Sequence, residues 1–236
     1  MNIRWTLTGL LLLGQYAWAD NQFDDIRHLD QDTFKSLTAN MGSAIGYKAI
    51  NPTEPLEGLG FDMNIQLSND SLENAPLNHA DTYGQGRYLP PELRMFTDLP
   101  FGIEIGGFYS SVPLSDISLM GGEVNYAIVE DQPLGGPAVS IRGTFTRLTG
   151  IQDFGLETRG LELAVSKGFA TFTPYAGLGT VWINGETGVD GLNNESLTQN
   201  KYFMGFNFNL GMMNFAAEAE QTGDSASTSA KFGVRF

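Results

Sequence analysis

The sequence contains no cysteine, only 2 histidines, and 13 lysines and arginines against 27 acids, for a net charge of −14. Without cysteine there is no disulfide framework, no thiol nucleophile and no thiolate metal site. The acidic balance excludes nucleic acid as a partner, because binding a phosphate backbone needs a basic face. It also argues against docking on anionic lipid through a basic patch. Past residue 19 no apolar run approaches the ~18 residues of a transmembrane helix. HExxH, EF-hand and phosphate-loop patterns are missing, and no metal or other cofactor is expected.

What is present begins with MNIRWTLTGLLLLGQYAWAD. Arg4 supplies a positive start, Leu7 to Leu13 an apolar centre, and Ala17-Trp18-Ala19 a small-x-small cleavage site. The pattern predicts a signal peptide over 1–19, cut after Ala19, and an exported mature chain. Residues 20–59 form a separate segment. Asp32 is a candidate helix cap, and Phe34, Leu37, Met41, Ala44 and Ile45 recur at helical spacing, which predicts a helix over about 33–46. Periodicity leaves two positions open for this helix, at the rim of the domain formed by residues 60–236 or in its interior.

From Phe61 onward the text alternates. Phe61, Met63, Ile65 and Leu67 are apolar, while Asp62, Asn64, Gln66 and Ser68 are polar. The same period of two recurs to the end and predicts ten strands, at about 60–68, 91–98, 101–111, 117–129, 138–148, 155–166, 172–183, 201–211, 213–222 and 226–236. Each is near the ~9–11 residues that a tilted strand needs to cross a bilayer. Short connections (Leu99-Pro100, 165–170, 211–213) are expected at one rim and long ones (69–90, 184–199) at the other. The fold class is all-β, a closed antiparallel transmembrane barrel of ten strands over 60–236. A soluble exported sandwich is the competing architecture.

The polar face carries single charges in mid-strand whose signs interleave: Asp62, Arg94, Glu104, Glu123, Arg142, Glu162, Glu218, Glu220, Lys231 and Arg235. In a narrow bore unpaired charge is costly, so these residues are expected to form a lumenal charge network. Seven glycines share that face: Gly102, Gly106, Gly160, Gly177, Gly179, Gly205 and Gly233. They mark either bends or space, for the helix or for a small ligand bordered by Tyr175 and Phe203.

The closing stretch AKFGVRF puts Phe232, Val234 and Phe236 on one face and Lys231 and Arg235 on the other. With the signal peptide and the strand rhythm, this ending resembles that of Gram-negative outer-membrane β-barrel proteins. The resemblance implies an outer-membrane location, lipid around the barrel, and the barrel-assembly machinery as a partner that reads Phe232, Val234 and Phe236.

Candidate chemistry is sparse. His79 lies in LNHADTYGQGRYL near Asp81 and Ser71, a combination that would suit a lipid-modifying active site at the outer rim. The loop NGETGVDGLNNES offers oxygen ligands for weak Ca²⁺ binding. Neither matches a motif, and no catalysis is expected. The expected function is a non-enzymatic barrel with a structural or surface-binding role. A gated channel for small polar or amphipathic solutes is the alternative, and a lipid-modifying enzyme the third reading.

Overall fold

In the computed structural model, residues 24–53, 60–70, 87–112, 115–131 and 135–235 are described. The signal peptide, Ser71, His79, Asp81 and Phe236 lie outside the described residues.

Period-two alternation produces one sheet that closes on itself. Its strands are β1 (Phe61–Asp70), β2 (Arg87–Tyr88), β3 (Glu92–Leu99), β4 (Ile103–Ser111), β5 (Ser118–Val129), β6 (Ala138–Ile151), β7 (Phe154–Ser166), β8 (Phe172–Thr187), β9 (Glu195–Leu210), β10 (Met213–Thr222) and β11 (Ser225–Arg235). The ten long strands pair antiparallel with their sequence neighbours, and β11 returns to β1 in register from Asp62↔Arg235 to Asp70↔Ser227. The two-residue β2 only extends the ladder at the far end of β1, opposite Asn69 and Asp70. The barrel therefore has ten walls, as the alternation predicts, and each of the ten long strands is paired on both sides.

Its polarity is inverted relative to a soluble protein. Outward side chains are apolar and exposed: Ile65 is 53% accessible, Tyr202 56% and Met204 67%. Inward charged residues are sealed, with Arg94 and Arg142 at 0%. A sandwich would bury the first set and wet the second, so this is the pattern of a transmembrane barrel. Tyr126, Phe145, Trp182, Phe206, Phe208 and Phe232 all stand on the outward face.

We call the rim holding Phe61 and Arg235 rim I, and the opposite one rim II. Rim I carries the connections 100–102, 130–137, 167–171 and 211–212, and rim II carries 112–117, 152–153, 188–194 and 223–224 together with the β1–β3 connection. Connection length does not sort by rim. Two rim II turns have only two residues, and 130–137 on rim I is longer. The expected long loop at 184–199 is mostly ladder, because β8 runs on to Thr187 and pairs with β9 from Glu195, with Gly185↔Glu195 as the first pair. The oxygen-rich stretch read as a Ca²⁺ loop is thus strand at both ends, with only 188–194 left as a connection.

The inward glycines make room rather than bends. Gly106 faces Phe96 across the β3–β4 ladder, and a Cβ there would lie 2.2 Å from the ring. Gly177 faces Phe203 and Gly205 faces Tyr175 in the same way. Each ring fills the volume its partner leaves, as when an aromatic residue covers a strand glycine. Gly102 is different: with φ +73 it belongs to the β3–β4 turn.

Candidate functional site

The inner surface of the barrel is occupied. Helix α1 (Gln31–Ile45) starts at Asp30, whose carboxylate accepts from the Thr33 amide at 2.8 Å. This is the N-cap role predicted for Asp32, displaced by two residues. Accepting from Thr33 holds the Asp30 carboxyl below its ordinary value. The helix ends where Gly46 turns to extended geometry (φ −49, ψ 142). An isolated helix of this length is marginal in water. Burial of its stripe decides the matter, since Phe34, Leu37 and Ile45 each contribute roughly 1.5–3 kcal/mol when sealed.

That stripe meets an apolar patch on the inner wall near rim II. Phe108, Leu119, Leu148, Ile151, Phe154, Leu156, Val181 and Ile183 join Phe34, Leu37 and Ile45 in one cluster. The Phe34 and Phe154 rings stand edge to face at 5.9 Å. The inward face is therefore apolar over the rim II half of β4 to β8, against the expectation of a uniformly polar lumen. The helix is the reason, because an amphipathic stripe must be matched by wall residues of its own kind. The helix stripe packs on these inward residues of β4 to β8.

Below the helix, residues 46–53 continue as a strap outside any helix or strand, with Ile50 turned to φ 43, and the wall grips its backbone. Arg94 donates to the Lys48 carbonyl and to Gln66. Lys201 donates to the Tyr47 carbonyl. Arg142 reaches the Asn51 carbonyl at 3.4 Å, and Lys231 donates to the Asn51 side chain. Thr53 meets Ser166, the last residue of β7. Four wall cations thus satisfy oxygens of a segment that has no ladder of its own, as buried backbone requires.

The same cations hold the wall's carboxylates. Arg142 lies 3.6 Å from Glu123 and 3.2 Å from Glu162. Lys201 bridges Glu162 at 2.8 Å and Glu220 at 3.0 Å. Asp62 receives Lys231 at 3.9 Å and Arg235 at 3.2 Å across the β1–β11 seam. Lys48, on the strap, approaches Asp70 at 4.0 Å and Glu220 at 3.9 Å. Tyr47 and Tyr175 are buried beside Glu123 and Glu218 respectively. Glu104 lies buried in the field of Glu123, Asp98, Arg142 and Lys231.

Every charged residue assigned to the lumen from the sequence is inward in the structure, with Arg235 partly exposed at rim I. The pairings differ from a simple neighbour rule. Arg94 meets Glu92 of its own strand at 3.7 Å, and its guanidinium stacks over Tyr47 at 4.5 Å and Phe108 at 5.0 Å. Lys231 pairs across the seam rather than with Glu218 or Glu220. Sequence reasoning missed Lys48, Asp70, Glu92, Asp98 and Lys201, all buried. Glu92, Asp98 and Lys201 share parity with Arg94 or Phe203 and were legible on that ground. Lys48 carried no signal, because the strap has no alternation.

His28 is exposed beside Arg27, and His79 with Ser71 and Asp81 falls outside the described residues, so the enzyme reading gains no geometry. Among the described residues no group of three or more His, Cys, Asp and Glu is arranged to hold a metal ion.

No family model and no curated protein matches the sequence. The chain is similar in fold to solved outer-membrane barrels. One is the N-terminal β-barrel domain of OprF from Pseudomonas aeruginosa, at 10% identity, 74% of this chain, 97% of that one and TM-score 0.37. Another is LpxR from Salmonella typhimurium, at 11% identity, 61% of this chain, 71% of that one and TM-score 0.37. A third is the KdgM porin, at 5% identity, 74% of this chain, 99% of that one and TM-score 0.36.

Proposed function

We propose that the protein is an outer-membrane β-barrel shut by its own amino-terminal segment, with a structural or surface-binding role rather than a role in free diffusion. The observation that carries this is the course of residues 24–53 along the bore, packed apolar to apolar near rim II and held by Arg94, Arg142, Lys201 and Lys231 below. A ten-strand barrel lies between side-chain-filled eight-strand barrels and the aqueous porins of 16–18 strands, so a helix and a strap suffice to fill it. In this reading rim I faces the periplasm. The chain arrives there after cleavage behind Ala19, and Phe232, Val234 and Phe236 of the last strand engage the assembly machinery. Lipid surrounds the apolar face.

The gated channel is favoured by one feature only. The strap is held by hydrogen bonds and ion pairs, which water replaces at little net cost. Planar-bilayer recording on the full chain separates the two readings. The closed barrel adds no steady conductance, and a steady conductance from the unmodified protein would overturn closure in favour of the channel.

A further inference from the structure

The amino-terminal segment does more than occupy the bore. Its contacts advance in order from rim II to rim I. Arg27 pairs with Asp153 in the β6–β7 turn at 2.8 Å, and Gln31 exchanges hydrogen bonds with Asn193 in the β8–β9 connection at 3.1 and 2.9 Å. Thr38 then packs against Gly185, Gly42 against Ile183, and Ser43 bonds Gln199. Tyr47 follows at Lys201, Asn51 at Arg142, and Thr53 at Ser166 on rim I. Along β9 the partners run Glu195, Gln199, Lys201, and along β7 they run from Phe154 to Ser166, without reversal. A plug pushed in from rim I and folded back would meet each level twice.

The length suffices for a full crossing. Fifteen helical residues span about 22 Å at 1.5 Å each. The eight residues 46–53 add up to about 26 Å when extended. Together they exceed the apolar band of about 25 Å that such a barrel presents to lipid.

We infer that the polypeptide is threaded, so that the stretch before the helix is displayed on the cell surface while the last strand ends at the periplasmic rim. Arg27, His28, Gln31, Asp153 and Asn193 then form one composite outer surface. It is built jointly by the amino-terminal turn and the barrel connections. The inference rests on the proposed orientation for the word "outer", but the grouping of the amino-terminal turn with rim II does not.

The absence of cysteine makes the test clean. Three single-cysteine variants of the full chain carry exposed positions: His28→Cys before the helix, Asp224→Cys in the rim II turn, and Met212→Cys in the rim I turn. Intact cells are treated with a maleimide on a polyethylene glycol too large to enter the periplasm, and each variant is checked for the fast-migrating unheated band of a folded barrel. Asp32→Cys replaces any His28→Cys that lacks that band. Labelling of His28→Cys together with Asp224→Cys, and no labelling of Met212→Cys, is the expected result. Labelling of Asp224→Cys without His28→Cys overturns the threading and leaves the orientation standing. Labelling of Met212→Cys without Asp224→Cys overturns the orientation, and with it the surface display.

Discussion

Gly42 of the helix and Ile183 of β8 meet with no room between them: a Cβ on Gly42 would lie 2.3 Å from Ile183 Cγ2. Three Ile183 side-chain carbons would lie within 3 Å of that Cβ. Only glycine lets the helix lie this close to the wall. Gly42→Leu is expected to push the helix off β8, at the 1–3 kcal/mol typical of overpacking, about the same size as the burial of one apolar side chain. Limited proteolysis of residues 24–45 in detergent-folded protein should quicken while the barrel band persists. An unchanged cleavage rate would show that the contact does not fix the helix.

Arg142 is shared by two carboxylates and a strap carbonyl. Replacing it with Met leaves Glu162 paired to Lys201 but leaves Glu123 buried without its cation. The expected destabilisation is about 3–5 kcal/mol, the cost of stranding one member of a buried pair. Adding Glu123→Gln should recover most of that loss. The comparison is read from urea unfolding of the two variants in detergent. A double variant as unstable as Arg142→Met would refute the assignment.

The aromatic-over-glycine pairs make a reciprocal prediction. Gly106→Val drives a side chain into the Phe96 ring and is expected to lower stability by about 1–3 kcal/mol. Phe96→Ala in the same chain should relieve the clash, so the double variant is more stable than the sum of the single effects. Additivity of the two losses would mean that the residues do not compete for one volume.

Acid should loosen the start of the helix. The Asp30 carboxyl is held low by Thr33, so its capping contribution is complete above the ordinary carboxylate value of about 4 and fades as pH falls through its lower folded value. Protection of the first helical turn against hydrogen exchange, taken relative to the intrinsic rate at each pH, should fall over that interval. Asp30→Asn, which keeps an acceptor but cannot titrate, should abolish the dependence, and persistence of the dependence in Asp30→Asn would place its origin elsewhere.

The barrel was legible because the alternation of Phe61, Met63, Ile65 and Leu67 against Asp62, Asn64, Gln66 and Ser68 continues through every wall. One face of that pattern had to be lipid or core, and the mid-strand charges indicated lipid. Parity placed Arg94, Glu123, Arg142 and Glu162 inward without any knowledge of their partners. Pairing was not legible, because it depends on register across the seam and on a strap whose own sequence has no period. The apolar inner patch was hidden for a related reason. Val181 and Ile183 read as ordinary strand residues until a helix is present for them to cover.

The β1–β11 seam closes by hydrogen bonds from Asp62↔Arg235 to Asp70↔Ser227 around a segment that precedes β1 in the chain. A hoop cinched over its own rope cannot shed it sideways. Escape requires either drawing a folded helix lengthwise out of a snug sleeve or unzipping the hoop. Fastening that seam after the inner cord has been laid would spare the chain such a lengthwise passage.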